Sequence, residues 1–399
     1  MWLTLLACTS FPCDSDQLLD ASGQCHDAVR QDDSGPAGDT ADTSDTDPGD
    51  TDTDTDADTD TDTDTDTDTD TGTPADDGWP AVFAAPYVDA TGYPTVKVGD
   101  IAAENGMDHY TLAFVVATTP TTCEASWGTY YSIDVGPSAW DSGSEYFLYD
   151  QIQTLRDRGG DVMVSFGGAA NTPIEAACGS VDEVVAEYER VIEKLDLTRI
   201  DFDIEGSWVS DAPSLQRRDE AIVALQAWAR DEGRPLHVWF TLPVLPTGLV
   251  PSGLDAVQGA VDSGVVLDGV NVMTMDYGDG AAPSPSGQMG EYGIDAIESL
   301  HAQLATVWPA LADEEVWAHI GTTPMIGQND TQSEVFDVDD ADQTRAYAES
   351  VGVGMLGFWS INRDHPCPEP VEWAQSTCNG SVDVGDWAYA GAFAGYGEP

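Results

Sequence analysis

The sequence has 399 residues, with 73 acidic side chains against 13 lysines and arginines and a formal net charge of −60 at pH 7. This charge repels phosphate backbones and anionic headgroups, so it excludes nucleic acid and anionic membrane surfaces as partners. A fully membrane-spanning helix is also excluded, because the sequence contains no run of about 20 apolar residues.

The chain begins with a short apolar segment, MWLTLLACTS. Within it, Leu5-Leu6-Ala7-Cys8 resembles the lipobox of bacterial lipoproteins, in which the cysteine is acylated, although only seven residues precede Cys8 and none is basic. The resemblance implies an exported protein. It is either a lipoprotein anchored through Cys8 at the cell surface or outer membrane, or a secreted protein without an anchor.

The remaining cysteines support export. They fall into three local pairs, Cys13 with Cys25, Cys123 with Cys178, and Cys367 with Cys378. An exported protein favours disulfides in these pairs over free thiols. Neither a C-x-x-C motif nor a histidine cluster is present, so we expect no metal and no other cofactor.

Residues 1–30 form the leader and a short cysteine-containing segment, and residues 31–77 form an acidic linker. The linker contains 19 Asp and neither Lys nor Arg, largely as Thr-Asp repeats. Such a tract has almost no apolar surface to bury, and like-charge repulsion extends it, so it is predicted to be disordered. Repeated Asp also attracts Ca²⁺, but the tract lacks the pattern of Gly and bidentate Glu that typical calcium loops use.

Residues 78–399 alternate strand-like and helical patterns. Strands are predicted at 81–87, 110–116, 161–167, 199–205, 237–243, 269–276, 316–322 and 354–361. Helices are predicted at 143–158, 181–195, 213–231, 253–263, 291–311 and 338–350. Eight strands alternating with helices indicate an α/β protein, specifically a (β/α)8 TIM barrel that forms one catalytic domain.

The fourth predicted strand, RIDFDIE, places Asp201, Asp203 and Glu205 on one face and apolar residues on the other. In a barrel the apolar face packs on helices, so the acids point inward. Burying unpaired carboxylates costs several kcal/mol. Because Glu205 lies at the carboxyl end of the strand, where barrel enzymes have their active sites, we interpret the three acids as catalytic rather than structural.

Four segments resemble, in order, the motifs of family 18 glycoside hydrolases, the chitinases and their relatives. IDFDIE resembles the D-x-x-D-x-D-x-E signature, SFGG at 165–168 and MTMDYG at 273–278 resemble the third- and sixth-strand motifs, and Trp359 corresponds to the eighth-strand tryptophan. The resemblance covers about residues 79–365. It departs at Thr198, where the family has Asp, at Arg199, where it has Gly, and at Met275, where it has Tyr.

The resemblance implies a retaining, substrate-assisted hydrolysis, in which the N-acetyl oxygen of the substrate attacks the anomeric carbon. Glu205 is then the general acid and later the base. Asp203 orients the acetamido group and stabilises the developing charge. Asp201 holds Asp203 and shares a proton with it.

The substrate-binding side chains implied by the family are Asp276, Tyr277, Met275, Trp359, Trp127 and Trp208. The segment around Asp276 is expected to contact the acetamido group. Trp359 is expected to form the floor beneath the sugar ring, with packing in the core as the alternative. Trp127 and Trp208 follow the second and fourth strands, and they either line outer sugar subsites or are ordinary surface or packing aromatics.

The resemblance thus implies a chitinase-like enzyme that binds chitin or N-acetylglucosamine oligosaccharides and acts as a monomer. Two alternatives stay open: an endo-β-N-acetylglucosaminidase acting on glycans, and a non-catalytic sugar-binding barrel. Lectin-like members of the family typically lose the final Glu of the signature, and Glu205 is present here.

Overall fold

The structure is a computed structural model that describes residues 17–19, 25–27, 77–137 and 146–397. The described residues divide into two units, one that contains residues 17–19 and 25–27 and one that contains residues 77–137 and 146–397. In the first unit, strands β1 (Gln17–Leu19) and β2 (Cys25–Asp27) pair antiparallel. The lipobox, Cys13 and nearly all of the predicted linker lie outside the described residues. Within the described part of the chain, no helix has the length and apolar character needed to cross a membrane.

The second unit is an α/β fold built on an eleven-stranded mixed sheet. Its strands are β3 (Phe83–Ala84), β4 (Tyr87–Asp89), β5 (His109–Thr119), β6 (Thr122–Trp127), β7 (Tyr131–Ser132), β8 (Asp161–Gly167), β9 (Arg199–Asp203), β10 (His237–Pro243), β11 (Gly269–Met273), β12 (Ile320–Thr323) and β15 (Met355–Leu356). Between β12 and β15 in the chain, β13 (Gly327–Gln328) and β14 (Val335–Phe336) form a small separate hairpin. The order is β3-β15-β12-β11-β10-β9-β8-β5-β6-β7, with β4 on β5. The pairs are parallel except in the β5-β6-β7 meander.

The short segment that contains β3 and β4 bonds to both ends of this parallel series. Strand β3 pairs with β15, and β4 pairs with β5. Between the two strands, the Ala85 N–H donates to the Leu356 carbonyl at 2.8 Å, and the Pro86 carbonyl accepts from the Thr111 N–H at 3.0 Å. Strands β5 and β15 therefore share one neighbour, the segment that contains β3 and β4.

Helices follow most of the parallel strands. They are α1 (Val98–Asn105), α2 (Phe147–Arg156), α3 (Ile174–Ala177), α4 (Val181–Leu195), α5 (Ala212–Asp231), α6 (Pro251–Asp262), α7 (Met289–Val307), α8 (Asp313–Ala318), α9 (Val338–Val351) and α10 (Ala388–Phe393). Helix α4 begins with a reciprocal capping box between Ser180 and Glu183. Short 3-10 turns cover Gly206–Ser210 and Ile361–Arg363.

The predicted strands at 161–167 and 237–243 and the predicted helix at 181–195 are confirmed with the same bounds. The prediction at 316–322 is wrong in its first half, because residues 316–318 belong to α8 and the strand begins at Ile320. Acidic residues in the first turn of α8 favour a helix N-terminus, and the Glu315 carboxylate accepts from the Ala312 N–H at 2.7 Å. The apolar run VWAHIGT therefore contains the end of α8 and the beginning of β12.

Two of the three predicted disulfides are confirmed. Cys123 bonds to Cys178, which ties β6 to the residue after α3, and Cys367 bonds to Cys378 in the segment after β15. The pair of Cys13 with Cys25 stays a prediction, since Cys13 lies outside the described residues.

The two faces of β9 pack as the alternation predicts. Ile200 and Phe202 are fully buried in the main apolar core between sheet and helices, where Phe202 stacks on Phe166 with ring centroids 5.3 Å apart. The face that carries Asp201 adjoins a smaller cluster that includes Met163 and Trp239. The sheet thus has apolar packing behind the acids and a partly polar interior in front of them.

Thr198 and Arg199, at which the amino end of the signature differs from the family pattern, both contact the Asp77 carboxylate. Arg199 donates from Nε to Asp77 at 2.7 Å and from Nη2 at 3.3 Å, and the Thr198 hydroxyl lies 3.5 Å from the same side chain. The guanidinium carbon lies 5.0 Å from the Trp79 ring centroid and 4.9 Å from that of Phe83. Burial acts to raise the pKa of Asp77, but the hydrogen bonds and charge of Arg199 hold this pKa below its usual value. The contact stabilises the amino ends of the strands.

We expect Arg199→Gly to lower the free energy of unfolding by about 3 kcal/mol, because it removes a buried ion pair and leaves the Asp77 carboxylate uncompensated. Urea unfolding at pH 7 measures this, with Arg158→Ala at an exposed position as the control. A lowered pKa stabilises the fold only while the carboxylate is ionised. The difference between wild type and variant should therefore be complete above pH 3.8 and shrink as the pH falls through the lower folded-state pKa of Asp77. A loss equal to that of the control contradicts the prediction.

Candidate active site

Asp201 lies at the centre of the site and is fully buried. Its carboxylate accepts from the hydroxyls of Ser165 at 2.6 Å, Thr241 at 2.7 Å and Tyr87 at 2.9 Å. These donors come from β8, β10 and β4. Burial raises the pKa of Asp201 to about 6, and the hydroxyl donors limit the rise. The carboxyl group is thus able to exchange a proton near neutral pH.

A second layer of polar side chains supports these donors. The Tyr87 and Thr241 hydroxyls lie 2.8 Å apart, and Asn271 Nδ2 donates to Thr241 at 3.0 Å. Thr323 in turn donates to Asn271 Oδ1 at 3.0 Å. The network therefore crosses β4, β10, β11 and β12 and fixes the direction of each donor toward Asp201.

Asp203 and Glu205 form a hydrogen-bonded carboxyl pair one step nearer the carboxyl end of the strand. Burial raises the pKa of Asp203 well above its usual range, and the neighbouring charges of Glu205 and Asp201 raise it further. Burial also raises the pKa of Glu205, against the hydrogen bonds that it accepts from Asp203 and from the Ala169 N–H. Asp203 Oδ1 has no hydrogen-bond partner among the described residues. Protonation of either carboxyl group removes the repulsion between the two charges.

The glycines of SFGG allow this close approach. Gly167 has φ +108°, and a Cβ at this position would lie 2.1 Å from the Asp203 carbonyl oxygen. Gly168, at φ +90°, donates its N–H to the same oxygen at 3.0 Å. Only glycine fits this geometry, which brings the next N–H, that of Ala169, to Glu205.

The pair opens into a cavity of about 290 Å³. Trp359 forms one wall and stacks on Phe114, with ring centroids 5.5 Å apart and ring planes inclined by 20°. Beside the acids, much of the remaining wall is apolar. The lining side chains are Tyr87, Phe114, Ala169, Asp203, Glu205, Thr241, Met273, Met275, Asp276, Thr323, Met325, Asp330 and Trp359.

The sixth-strand segment divides between the cavity and the core. Met275 and Asp276 line the cavity, and Asp276 accepts from the Thr331 N–H at 2.7 Å. Tyr277 is buried, and its hydroxyl lies 3.4 Å from the Tyr292 carbonyl on α7. The structure does not place Tyr277 on the cavity wall. The chain turns at Asp276, where φ is +51°, so consecutive side chains diverge.

The other two predicted aromatic contacts do not line the cavity either. Trp127 ends β6 and is fully buried in the main core, with its Nε1 3.5 Å from the Tyr149 hydroxyl. Trp208 lies in the 3-10 turn after Glu205 and packs partly against the same core. For both tryptophans, packing is the alternative that the structure favours.

Several site residues were not identified from the sequence. Thr241, Asn271 and Thr323 are polar residues within apolar strand runs, and that inward-facing polarity is the signal that identifies them. Asp330, in the segment after β13, and Phe114, on β5, carry no such signal, because long-range packing brings them to the cavity. Among the residues that the structure describes, no group of His, Cys, Asp and Glu side chains is arranged to hold a metal ion.

Two proteins that are similar to this chain in sequence are named as chitinases. Over 292 residues, or 72% of its length, the chain is 42% identical to the probable bifunctional chitinase/lysozyme of Escherichia coli strain K12. Over 293 residues it is also 42% identical to Endochitinase 11 of Metarhizium anisopliae. The matches span only 31% and 53% of the lengths of these relatives. No protein-family model matches the chain.

Solved structures give a fuller match. The catalytic domain of a hyperthermophilic chitinase from Pyrococcus furiosus is 30% identical, with a TM-score of 0.68 over 79% of this chain and 95% of that domain. Catalytic-site mutants of active domain 2 of the Pyrococcus furiosus chitinase, solved with chito-oligosaccharides, match at 29% identity with the same TM-score. Because the likeness extends over nearly the whole of a solved catalytic domain, the chain belongs to the chitinase-like proteins of glycoside hydrolase family 18.

Proposed function

We propose that the protein hydrolyses β-1,4-linked N-acetylglucosamine polymers or oligomers by a retaining, substrate-assisted mechanism. The observation that carries this proposal is the hydrogen-bonded pair of Asp203 and Glu205, which opens into a cavity walled by Trp359. The chitinase names of the relatives agree with it.

The two acids are too close together to act as opposed catalytic groups. A retaining enzyme with a carboxylate nucleophile needs its two carboxyls about 5 Å apart across the scissile bond, and an inverting enzyme needs more. Asp203 and Glu205 share one strand face and a hydrogen bond, so they reach a sugar from the same side. A nucleophile supplied by the substrate's own acetamido group removes the need for a second, opposed carboxylate.

In this mechanism the raised pKa of Glu205 keeps a proton available for the leaving oxygen. Asp203 accepts the acetamido N–H and orients the carbonyl oxygen toward the anomeric carbon, and its charge stabilises the oxazolinium ion that forms. Asp201, held by three hydroxyls, takes up or releases the proton that Asp203 must lose or regain. Glu205 then acts as base for the water that opens the oxazolinium ring.

We also infer that the sheet closes into a (β/α)8 barrel. The parallel strands, counting residues 83–89 as one, are this segment, β5, β8, β9, β10, β11, β12 and β15. The hydrogen bonds from residues 83–89 to both β15 and β5 support closure. In such a barrel, Glu205 lies at the carboxyl-terminal face, where the loops that follow the strands form the active site.

A glycan-cleaving endo-β-N-acetylglucosaminidase uses the same chemistry and is the second candidate within it. A peptidoglycan substrate is favoured only by the words "chitinase/lysozyme" in the name of one relative. The carboxylates of the peptide stems of peptidoglycan would bring further negative charge toward Asp203, Glu205, Asp276 and Asp330 in the cavity. Repulsion between these charges disfavours that substrate.

Glu205→Gln is expected to reduce kcat on chitin oligomers to below a few per cent of wild type while leaving their Kd nearly unchanged, because it removes the transferable proton and little volume. Asp203→Asn should also be severely impaired. Hydrolysis is followed by product chromatography and binding by calorimetry. Glu193→Gln, at an exposed position on α4, is the matched control. Substantial residual activity in Glu205→Gln would mean that the acid is another residue.

The substrate-assisted mechanism also fixes substrate choice and product configuration. Cellulose has no 2-acetamido group, so we expect no hydrolysis of cellulose under conditions that degrade chitin oligomers. The first products should be β anomers, which NMR distinguishes within the first minutes of reaction. An initially α product would indicate inversion, and efficient cellulose cleavage would rule out participation of the acetamido group.

We further propose that the protein is exported, with Cys8 as a lipid anchor and the acidic linker as a spacer. Disulfides Cys123–Cys178 and Cys367–Cys378 support an oxidising location. The native protein is expected to partition into detergent, and Cys8→Ser to shift it to the aqueous phase. A wild-type protein that is found wholly in the medium would leave a secreted enzyme without an anchor.

A further inference from the structure

The connection between β13 and β14 ends in a buried acid that the proposed mechanism does not use. Glu334 is 0% exposed, and its carboxylate accepts from the Gly278 N–H at 2.7 Å and from the Tyr277 N–H at 3.1 Å. Burial raises the pKa of Glu334, and the charge of Asp276 adds to the rise, against these backbone donors. Burying a carboxylate near another acid is unfavourable, which points to a specific role for this side chain rather than to ordinary packing.

The two N–H groups belong to the loop that follows β11, directly after Asp276. At Asp276 the backbone has φ +51°, a left-handed conformation that few residues other than glycine adopt. Glu334 holds the next two residues of the chain, so its carboxylate fixes the direction in which the loop leaves Asp276. The orientation of the Asp276 side chain therefore depends on a residue that is far away in sequence.

The connection between β13 and β14 is held by the same loop in return. Asp276 Oδ1 accepts from the Thr331 N–H at 2.7 Å. Within the connection, the Glu334 N–H donates to the Thr331 carbonyl at 2.9 Å, and the Asn329 N–H donates to the Glu334 carbonyl at 3.1 Å. These bonds close a turn around Asp330. The carboxylates of Asp276 and Glu334 thus each bind the backbone of the other segment, and together they form a reciprocal clamp.

The clamp brings two like charges to one cavity. Asp276 and Asp330 both line the cavity that contains the catalytic acids. Burial raises the pKa of Asp276, and the charge of Asp330 raises it further, so the two carboxylates repel each other. Glu334 itself is fully buried and is not among the residues that line this cavity. It therefore acts through the two segments that it joins.

We propose that Glu334 is a positioning residue for sugar binding, whose carboxylate fastens the loop after β11 to the connection between β13 and β14 and so holds Asp276 and Asp330 at the cavity wall. The proposal rests on the proposed function for the identity of the sugar. The hydrogen bonds of the Glu334 carboxylate go to the loop after β11 and not to Asp203 or Glu205. Its effect thus falls on binding rather than on proton transfer.

Glu334→Gln tests the proposal, because it keeps the volume but turns an amide NH2 group toward one of the two N–H donors. We expect KM for the chitin tetramer to rise about tenfold, the order that one hydrogen bond to a charged group contributes, with kcat changed less than about threefold. Glu334→Asp retains the charge on a shorter side chain, so its KM should lie between those of wild type and Glu334→Gln.

The matched control is Asp340→Asn. Asp340 is 3% exposed and also accepts two backbone N–H groups, those of Gly290 and Asp337, both at 2.9 Å, but it does not line the cavity. This variant loses a comparable buried contact and should keep the KM and kcat of wild type. An unchanged KM in Glu334→Gln, or the same rise in Asp340→Asn, overturns the proposal.

A mutant cycle separates positioning from a general loss of stability. In a background that carries both Asp276→Asn and Asp330→Asn, the residues through which Glu334 acts no longer supply their charges. Glu334→Gln should then change KM less than about twofold, because interacting residues are not additive. A further tenfold rise in this background contradicts action through Asp276 and Asp330.

Hydrogen exchange followed by mass spectrometry tests the clamp without any sugar. Glu334→Gln should speed exchange severalfold in peptides that cover residues 276–282 and 328–334, with other peptides unchanged, whereas Asp340→Asn should leave both of these peptides as in wild type. If wild type neither binds nor cleaves chitin oligomers, the proposed function fails, but faster exchange in both peptides still supports the clamp. Unchanged exchange in either peptide refutes it.

Discussion

The structure depends on keeping the Asp201 carboxylate stable in a place that water does not reach. Its three hydroxyl partners, on Ser165, Thr241 and Tyr87, come from three strands that are far apart in sequence. Each donor faces the acid only if its strand holds its register, because a slip of one residue turns every side chain to the opposite face. The buried charge therefore penalises misregistered sheets. The register that satisfies Asp201 also fixes the positions of Asp203 and Glu205, which follow it on the same face of the strand.

The three acids differ in environment more than in chemistry. Asp201 is surrounded by donors, which limits the rise of its pKa to about 6. Asp203 lacks such donors and lies between two other acids, so its pKa rises well above the usual range. Glu205 borders the cavity and accepts from the Ala169 N–H. A proton on the middle residue, Asp203, can move toward either neighbour, which is what the proposed proton exchange during turnover needs.

Local patterns predicted much of this arrangement, and long-range packing decided the rest. The alternation in RIDFDIE identifies the acids and their inward face without knowledge of any neighbour, and strands such as 161–167 agree to the residue. The direction of Tyr277 could not be predicted, because it depends on the positive φ of Asp276 and on a carbonyl of α7. The sequence places Trp127 after the second predicted strand, but β6 extends the sheet and buries this side chain.

The departures from the family pattern separate into two physical kinds. At the amino end of β9, Thr198 and Arg199 replace an acid and a glycine, and Asp77 returns a carboxylate to that place from outside the signature. This contact with Asp77 affects the stability of the fold rather than the cavity, because Glu205 lies at the other end of the strand. On the cavity wall, Met275 replaces a hydroxyl with an apolar side chain beside Met273 and Met325, and the Tyr277 hydroxyl is directed toward α7. In the proposed mechanism, this wall then contributes shape and exclusion of water, and the polar orientation of the acetamido group falls more heavily on Asp203.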